Sequence, residues 1–400
     1  MLRAYMLTSN KTIEPFGDHP RDCLILNRKL SELQEDVLQS LGCVLVPVPD
    51  VSMIKDPEEH IIFVDSLYFN NTLLTTFLAE SRRLNKRTVC SLKSGLLTLR
   101  TIVNTQDVKI NNDSVEYGLY YVPAGSSTGE SAPVVMNPDK FYEGVSMPEH
   151  MIGLTEYRLP LPDKIAVQID HWVNLWSVNL ASLLAGISEI KGASKLKLLG
   201  LAARSLSTNQ WKILAKTNCI GRNCDIHPTA YIEGSTLGDN VRVGAGTVIR
   251  ESHIGSNCNI ENCVTINFSV VGENCYLGDG AVVRYSVLYP GGFIITSTLS
   301  CSIMGRDSFK GGLVTMTDFR FDGRPIQVLK NGVIIDTGNT FIGSCLGHNS
   351  YLGAGVIVAS GRSIPNGARL VPDNSRMISK FDANGSAPGF QRIYVKEVEE

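Results

Sequence analysis

From Ile220 to Leu288 the chain repeats itself every 17 residues, which leaves few folds open to it. Three aliphatic columns keep the step: Ile220, Leu237, Ile254 and Val271; Ile226, Val243, Ile260 and Leu277; Ile232, Ile249, Ile266 and Val283. In phase with them run Gly221, Gly238, Gly255 and Gly272, then Asn223, Asn240, Asn257 and Asn274, then Ser235, Ser252, Ser269 and Ser286. Within one period the apolar positions fall six, six and five apart, as in Val243, Ile249, Ile254 and Ile260. This spacing predicts a three-sided coil, each short strand sending one apolar side chain inward before a turn, as in parallel β-helices. A single coil cannot bury its inward residues, so coils must stack, with Gly and Asn at corners that need positive backbone angles. A β-sandwich holds no fixed period over such a length.

The pattern of an aliphatic residue followed by glycine, as in Leu237-Gly238-Asp239-Asn240 and Leu277-Gly278-Asp279-Gly280, resembles the hexapeptide-repeat left-handed β-helix of acyltransferases. The left hand is implied by that resemblance, since general crossover rules favour the opposite one. Four hundred residues with 43% hydrophobic content predict two domains with ample core. A formal charge of -2, with no Lys/Arg stripe interleaved with aromatics, gives no footprint for nucleic acid. Ten cysteines are scattered without paired Cys-x-x-Cys spacing, Cys258 and Cys275 sharing one column, so a reducing compartment is expected. The start reads as no signal peptide and no run of eighteen apolar residues follows, so a cytoplasmic protein without a membrane partner is expected.

Before the repeat, residues 2 to 8 read as a strand and Lys29 to Leu41 as a helix with Leu30, Leu33, Val37, Leu38 and Leu41 on one face. Val44, Val46 and Val48 alternate as a second strand, and His60 to Val64 form an apolar strand ending at Asp65. Asn71 is the expected cap of a helix carrying Leu74, Phe77, Leu78 and Leu84, and Thr88 to Leu92 follow as a strand. That order is the grammar of an open α/β sheet. Val108 to Val122 predict antiparallel edge strands, Gly125 to Ser131 a surface loop, and Ile165 to Ile190 a closing helix. The domains are therefore expected at 1–190 (α/β), 191–218 (helical linker), 219–373 (β-helix) and 374–400 (tail), with a loop protruding from Phe319 to Asn339.

Asp318-Phe319-Arg320-Phe321-Asp322-Gly323, then Asp336-Thr337-Gly338, then the run from Phe341 through His348-Asn349 follow an order of loop, turn and final coils. Over about a hundred residues this order resembles the bifunctional sugar-1-phosphate nucleotidylyltransferase/N-acetyltransferase family in its archaeal form. The resemblance implies a Rossmann-like nucleotidylyltransferase-type α/β domain ahead of a left-handed β-helix, and a homotrimer of prisms packed side by side. It implies phosphosugar or nucleotide substrates, with Mg²⁺ and acetyl-CoA as cofactors. Pro20-Arg21-Asp22 stands where the family has a lysine facing phosphate, which gives Arg21 a catalytic place. Asp65 matches the aspartate that holds magnesium, and Asp170, in Ile169-Asp170-His171-Trp172, the second metal ligand. Two such carboxylates would hold a Mg²⁺ bridging phosphate oxygens while a guanidinium neutralises developing charge.

Three departures bear on activity. The family cradles the triphosphate with a glycine-rich loop after the first strand, whereas this chain has Thr8-Ser9-Asn10-Lys11-Thr12-Ile13-Glu14 and no glycine before Gly17. Only Pro49 to Glu59 separate the second strand from the Asp65 strand, so the unit that recognises the base is missing. Asp318 stands where the acetyltransferase half has asparagine, and Ser297-Thr298-Leu299-Ser300-Cys301 lacks the family's general-base histidine, worth roughly 10²–10⁴-fold. His253 and His348 sit beside corners and read as exposed turn residues, while His227, His253 and His348 do not give the three-histidine zinc site of a gamma-type carbonic anhydrase. Cys301 has no His partner and reads as packed. Three functions stay open: a phosphosugar or nucleotide-sugar transferase using Arg21, Asp318, Asp65 and Asp170; a catalytically silent trimeric scaffold or regulatory subunit; and a CoA-dependent acyltransferase.

Overall fold

The first strand, Leu2–Leu7, lies between Cys43–Val48 and His60–Val64 and runs parallel to both. The computed structural model describes residues 2–126, 129–146, 148–152, 155–192 and 215–373. Across the sheet the order is Ala132–Met136, Thr88–Lys93, Ser114–Val122, His60–Val64, Leu2–Leu7, Cys43–Val48. Ser114–Val122 runs antiparallel to both of its long neighbours. Its alternation predicted an edge, yet it is central: its partners are strands from earlier in the chain, a pairing that local pattern cannot announce. Ala132–Met136, which no sequence pattern marked, adds a parallel edge beside Thr88–Lys93.

Two expected boundaries shift. Asn70, not Asn71, caps the second helix, its Oδ1 accepting the Leu73 N–H at 3.2 Å. The closing helix spans Trp172–Lys191, because Ala166–Gln168 instead pairs antiparallel with Leu67–Phe69. The expected linker falls largely outside the described residues, and the tail from 374 wholly so.

The prism is as the columns foretold, three parallel sheets wound by one chain. Val243 pairs with Ile260 and Ile260 with Leu277, each one coil above the last. Ile249, Ile254, Ile260, Ile266, Leu277 and Val283 are buried in a single apolar cluster. At the corners Asn223, Asn240, Asn257 and Asn274 take φ of 56–60°, and Asn240 Nδ2 donates to Asn257 Oδ1 at 3.0 Å. Each ladder serine accepts from the N–H of the serine one coil on: Ser252 N to Ser235 Oγ, Ser269 N to Ser252 Oγ and Ser286 N to Ser269 Oγ, all 3.1 Å. Each also donates to the carbonyl two residues before it, so a column that looked decorative satisfies buried backbone groups. Gly255 keeps its place because a Cβ there would lie 2.6 Å from Glu273 N of the next coil.

The period shortens from 17 to 16 where Ser302 N meets Ser286 Oγ, after the Pro290-Gly291-Gly292 break. It then jumps by 42 where Ser344 N meets Ser302 Oγ. The interruption holds the hairpin Gln327–Lys330 with Val333–Asp336. This segment protrudes only in part: Phe321 is 94% exposed and Ile334 64%, while others of its residues pack inward. Ile326, Val328 and Ile342 are buried in the cluster that fills the α/β half, which also takes in Val270, Val287, Ile303 and Cys345 from the outside of the prism. One side of the prism is thus covered by the chain's own first half. Trp176 Nε1 donates to Tyr285 O at 2.7 Å, the Leu24 N–H to Tyr289 Oη at 2.9 Å and Asn27 Nδ2 to Val271 O at 2.8 Å, so the junction buries few unpaired groups.

One inward position breaks the apolar rule. Lys310 stands in register between Ile294 and Leu352 and is fully buried, its Nζ donating to Val314 O at 2.6 Å and Ser297 Oγ at 2.9 Å. Burial pushes its pKa down to about 8. Between that value and the unfolded pKa near 10.4 the unfolded chain binds the extra proton, so stability rises with pH across this window. Lys310→Met is expected to add on the order of 1–3 kcal/mol at pH 7 and to flatten the rise between pH 8 and 10, read by urea melts at all three pH values.

Candidate functional site

Strand order reverses direction at Leu2–Leu7, since the chain passes first to Cys43–Val48 on one side and then to His60–Val64 on the other. The crevice beyond the carboxyl ends of strands at such a switch point is where open α/β sheets bind ligands. Here Asp65 follows His60–Val64, its backbone N–H bonded to Leu7 O at 3.1 Å, and its carboxylate is met by the loop after the first strand. Ser9 N donates to Asp65 Oδ2 at 2.5 Å and Ser9 Oγ to Oδ1 at 3.0 Å. His19 Nε2 lies 2.9 Å from Ser9 O and 3.5 Å from Asp65 Oδ2.

Asp170 closes the other side of the loop. Lys11 Nζ sits 3.0 Å from Asp170 Oδ1 and 2.6 Å from Asp107 Oδ2, while Asp107 N and Gln168 Nε2 donate to Asp170 Oδ2 at 2.7 and 3.0 Å. From the hairpin of the second half Lys330 reaches Asp107 Oδ1 at 2.7 Å and Thr105 O at 2.8 Å. The result is an alternating row, Asp170, Lys11, Asp107, Lys330. Burial raises the Asp107 pKa, but hydrogen bonds from Lys11 and Lys330 outweigh it and hold the carboxyl below its usual range. Burial likewise lowers the Lys11 pKa, and the hydrogen bond to Asp107 with the charge of Asp170 more than reverses this.

These residues do not fit a Mg²⁺ shared by Asp65 and Asp170. Both Asp65 oxygens are engaged by Ser9, both Asp170 oxygens have donors, and the charge of Asp170 is already met by the Lys11 ammonium. Among the described residues no group of three or more His, Cys, Asp or Glu is placed to hold a metal ion.

The expected site residues are only partly assembled. Asp65 and Asp170 are bonded to neighbouring residues of one loop. Arg21 is elsewhere: its Nη2 pairs with Glu35 at 3.2 Å, and no contact joins its guanidinium to either aspartate. Asp318 lines a cavity at the junction of the halves, together with Cys301, whose buried thiol is pushed up to about 12 and holds no thiolate at neutral pH. His348 is not exposed. Its Nδ1 accepts the Arg306 N–H at 2.7 Å, Nε2 lies 3.2 Å from Asp18 Oδ2, and its ring stacks on Phe16 at 4.7 Å, so it clasps the two halves. His253 is half-buried on the prism, and burial lowers its pKa. Lys11, Asp107 and Lys330 escaped the sequence reading. Lys11 stood inside the loop noted for its missing glycines, which was the one available signal.

Residues 208–308 match the family model of the GMPPB C-terminal domain. That match, over the repeat and the start of its irregular coils, agrees with the left-handed hexapeptide β-helix of nucleotidylyltransferase relatives and covers none of the α/β half. No curated protein matches the chain. Among solved structures, a hexapeptide transferase family protein from Anaplasma phagocytophilum is similar at 15% identity and a TM-score of 0.20, over 38% of this chain and 78% of that one. Such a superposition transfers nothing to this chain. Among the described residues no helix is long and apolar enough to cross a membrane.

Proposed function

We propose that this chain is a catalytically silent relative of the sugar-1-phosphate nucleotidylyltransferases that serves in the cytoplasm as a homotrimeric scaffold or regulatory subunit. The observation that carries this reading is the Lys11 ammonium between Asp107 and Asp170. Nucleotidyl transfer needs a dication to bridge phosphate oxygens and neutralise the charge that builds on them. Lys11 repels that ion, and three carboxylates against two ammonium groups leave the crevice unfavourable to a triphosphate without it. The absence of glycine from Thr8 to Glu14 removes the backbone cradle as well.

The trimer is part of the same proposal. With one prism side taken by the α/β half, a neighbour would meet another side, where the rings of Tyr276, Phe293, Phe309 and Tyr351 form a continuous stack at 4.4, 5.5 and 6.0 Å. Ten free cysteines accord with a reducing compartment.

The test incubates the full chain with Mg²⁺, the nucleoside triphosphates and a panel of sugar 1-phosphates, following pyrophosphate release, and separately with acetyl-CoA and amino-sugar phosphates, following free thiol. No turnover above the blank is expected in either. Pyrophosphate release that Asp65→Asn or Asp170→Asn abolishes would overturn the proposal.

A further inference from the structure

A cavity of about 450 Å³, apart from the carboxylate row, lies where the α/β half meets the prism. Tyr157 and Trp176 wall it from the first half, and Phe268, Tyr285 and Phe341 from the second. Its charged groups are Arg100, Arg284 and Asp318, a net positive balance inside an apolar shell. Arg100 is the unusual member. Its Nη1 donates to Asn339 Oδ1 at 3.1 Å and Nη2 to Arg158 O at 3.4 Å, and its guanidinium carbon sits 4.1 Å over the Tyr157 ring. Its Nε is buried with no hydrogen-bond partner. Among the described residues no carboxylate pairs with Arg100 or with the exposed Arg284, although other arginines such as Arg82 and Arg222 have theirs.

A guanidinium partly removed from water without an anion loses hydration it does not recover, and this burial lowers the Arg100 pKa. The volume lies in the range of small-molecule sites, which are apolar with a few convergent polar groups. A bare sugar would leave hydroxyls unpaired against these aromatic walls. We propose that this cavity binds a small amphiphilic anion, an apolar chain or ring ended by one carboxylate or phosphate, with Arg100 holding the head group and the rings enclosing the body. The ligand would touch both halves and so fasten their junction. This site is independent of the silent crevice.

Full-length protein is titrated with dodecanoate, dodecyl phosphate and uncharged dodecanol, each below its micelle concentration, while tryptophan emission, to which Trp176 contributes, and melting temperature are read. Both anions are expected to bind and raise the melting temperature, with dodecanol about tenfold weaker or worse. The stronger of the two anions identifies the carboxylate or phosphate source. Arg100→Met is expected to weaken anion binding by about tenfold without lowering the melting temperature of the free chain, and Arg100→Lys to recover part of the loss. Ala181→Trp, which fills the cavity from the closing helix, is expected to abolish binding. Equal affinity for dodecanol and dodecanoate, unchanged anion binding in folded Arg100→Met, or no binding of either anion would overturn the proposal.

Discussion

Lys11→Met is expected to lower stability by about 2 kcal/mol at pH 7, a loss that closes as the pH falls below about 4. The side chain of Asp170 is 1% exposed, and without Lys11 it keeps only the Asp107 N–H and Gln168 Nε2 as donors while facing a second carboxylate. The full cost of breaking a buried pair, about 3–5 kcal/mol, is reduced here because Lys11 itself is 44% exposed and water screens it. The sign of the pH dependence follows from Asp107, whose pKa lies lower folded than unfolded. The stabilisation it reports is complete above the unfolded value near 3.9 and disappears as both states take up the proton. Urea melts of wild type and variant at pH 7 and pH 3 measure the difference. An equal loss at both values would mean that Lys11 contributes packing and no charge.

The prism gives a larger effect. Ile260→Ala should cost about 3–4 kcal/mol, since Ile260 is 1% exposed between Val243 and Leu277 and neighbouring coils held by backbone ladders cannot close over the void. Ile220→Ala removes the same atoms from the neighbouring column, yet Ile220 is 49% exposed, and a loss below about 1 kcal/mol is expected. Similar losses at both positions would contradict a stack whose stability comes from the coils above and below.

These contrasts show what could be read from residues in order. The prism was legible because its contacts lie one period apart: Ser235, Ser252, Ser269 and Ser286 bond to one another at the interval by which they repeat. The helices and parallel strands of the first half were legible for the same local reason. Ser114–Val122 was misread as an edge because alternation reports a half-buried surface and not which strands lie beside it. In the crevice, Asp65 and Asp170 were found at element ends. What neutralises Asp170 was hidden, because Lys11 meets it at a separation of 159 residues and Asp107 at 96, and Lys330 meets Asp107 at 223. A glycine-free loop announced that something had changed after the first strand. Only its path showed Lys11 standing against Asp170, the residue expected as the second metal ligand.

Isothermal titration of Mg²⁺ into wild type and Lys11→Met, paired with melting curves, tests that pairing most directly. No heat and no melting shift are expected for wild type at millimolar Mg²⁺. In Lys11→Met, Mg²⁺ is expected to bind between Asp107 and Asp170 and to return about 1.4 kcal/mol at ten times its Kd. Mg²⁺ binding to wild type that Asp65→Asn or Asp170→Asn removes would show that the carboxylates hold a metal with Lys11 in place, and would contradict a crevice that Lys11 closes to the ion.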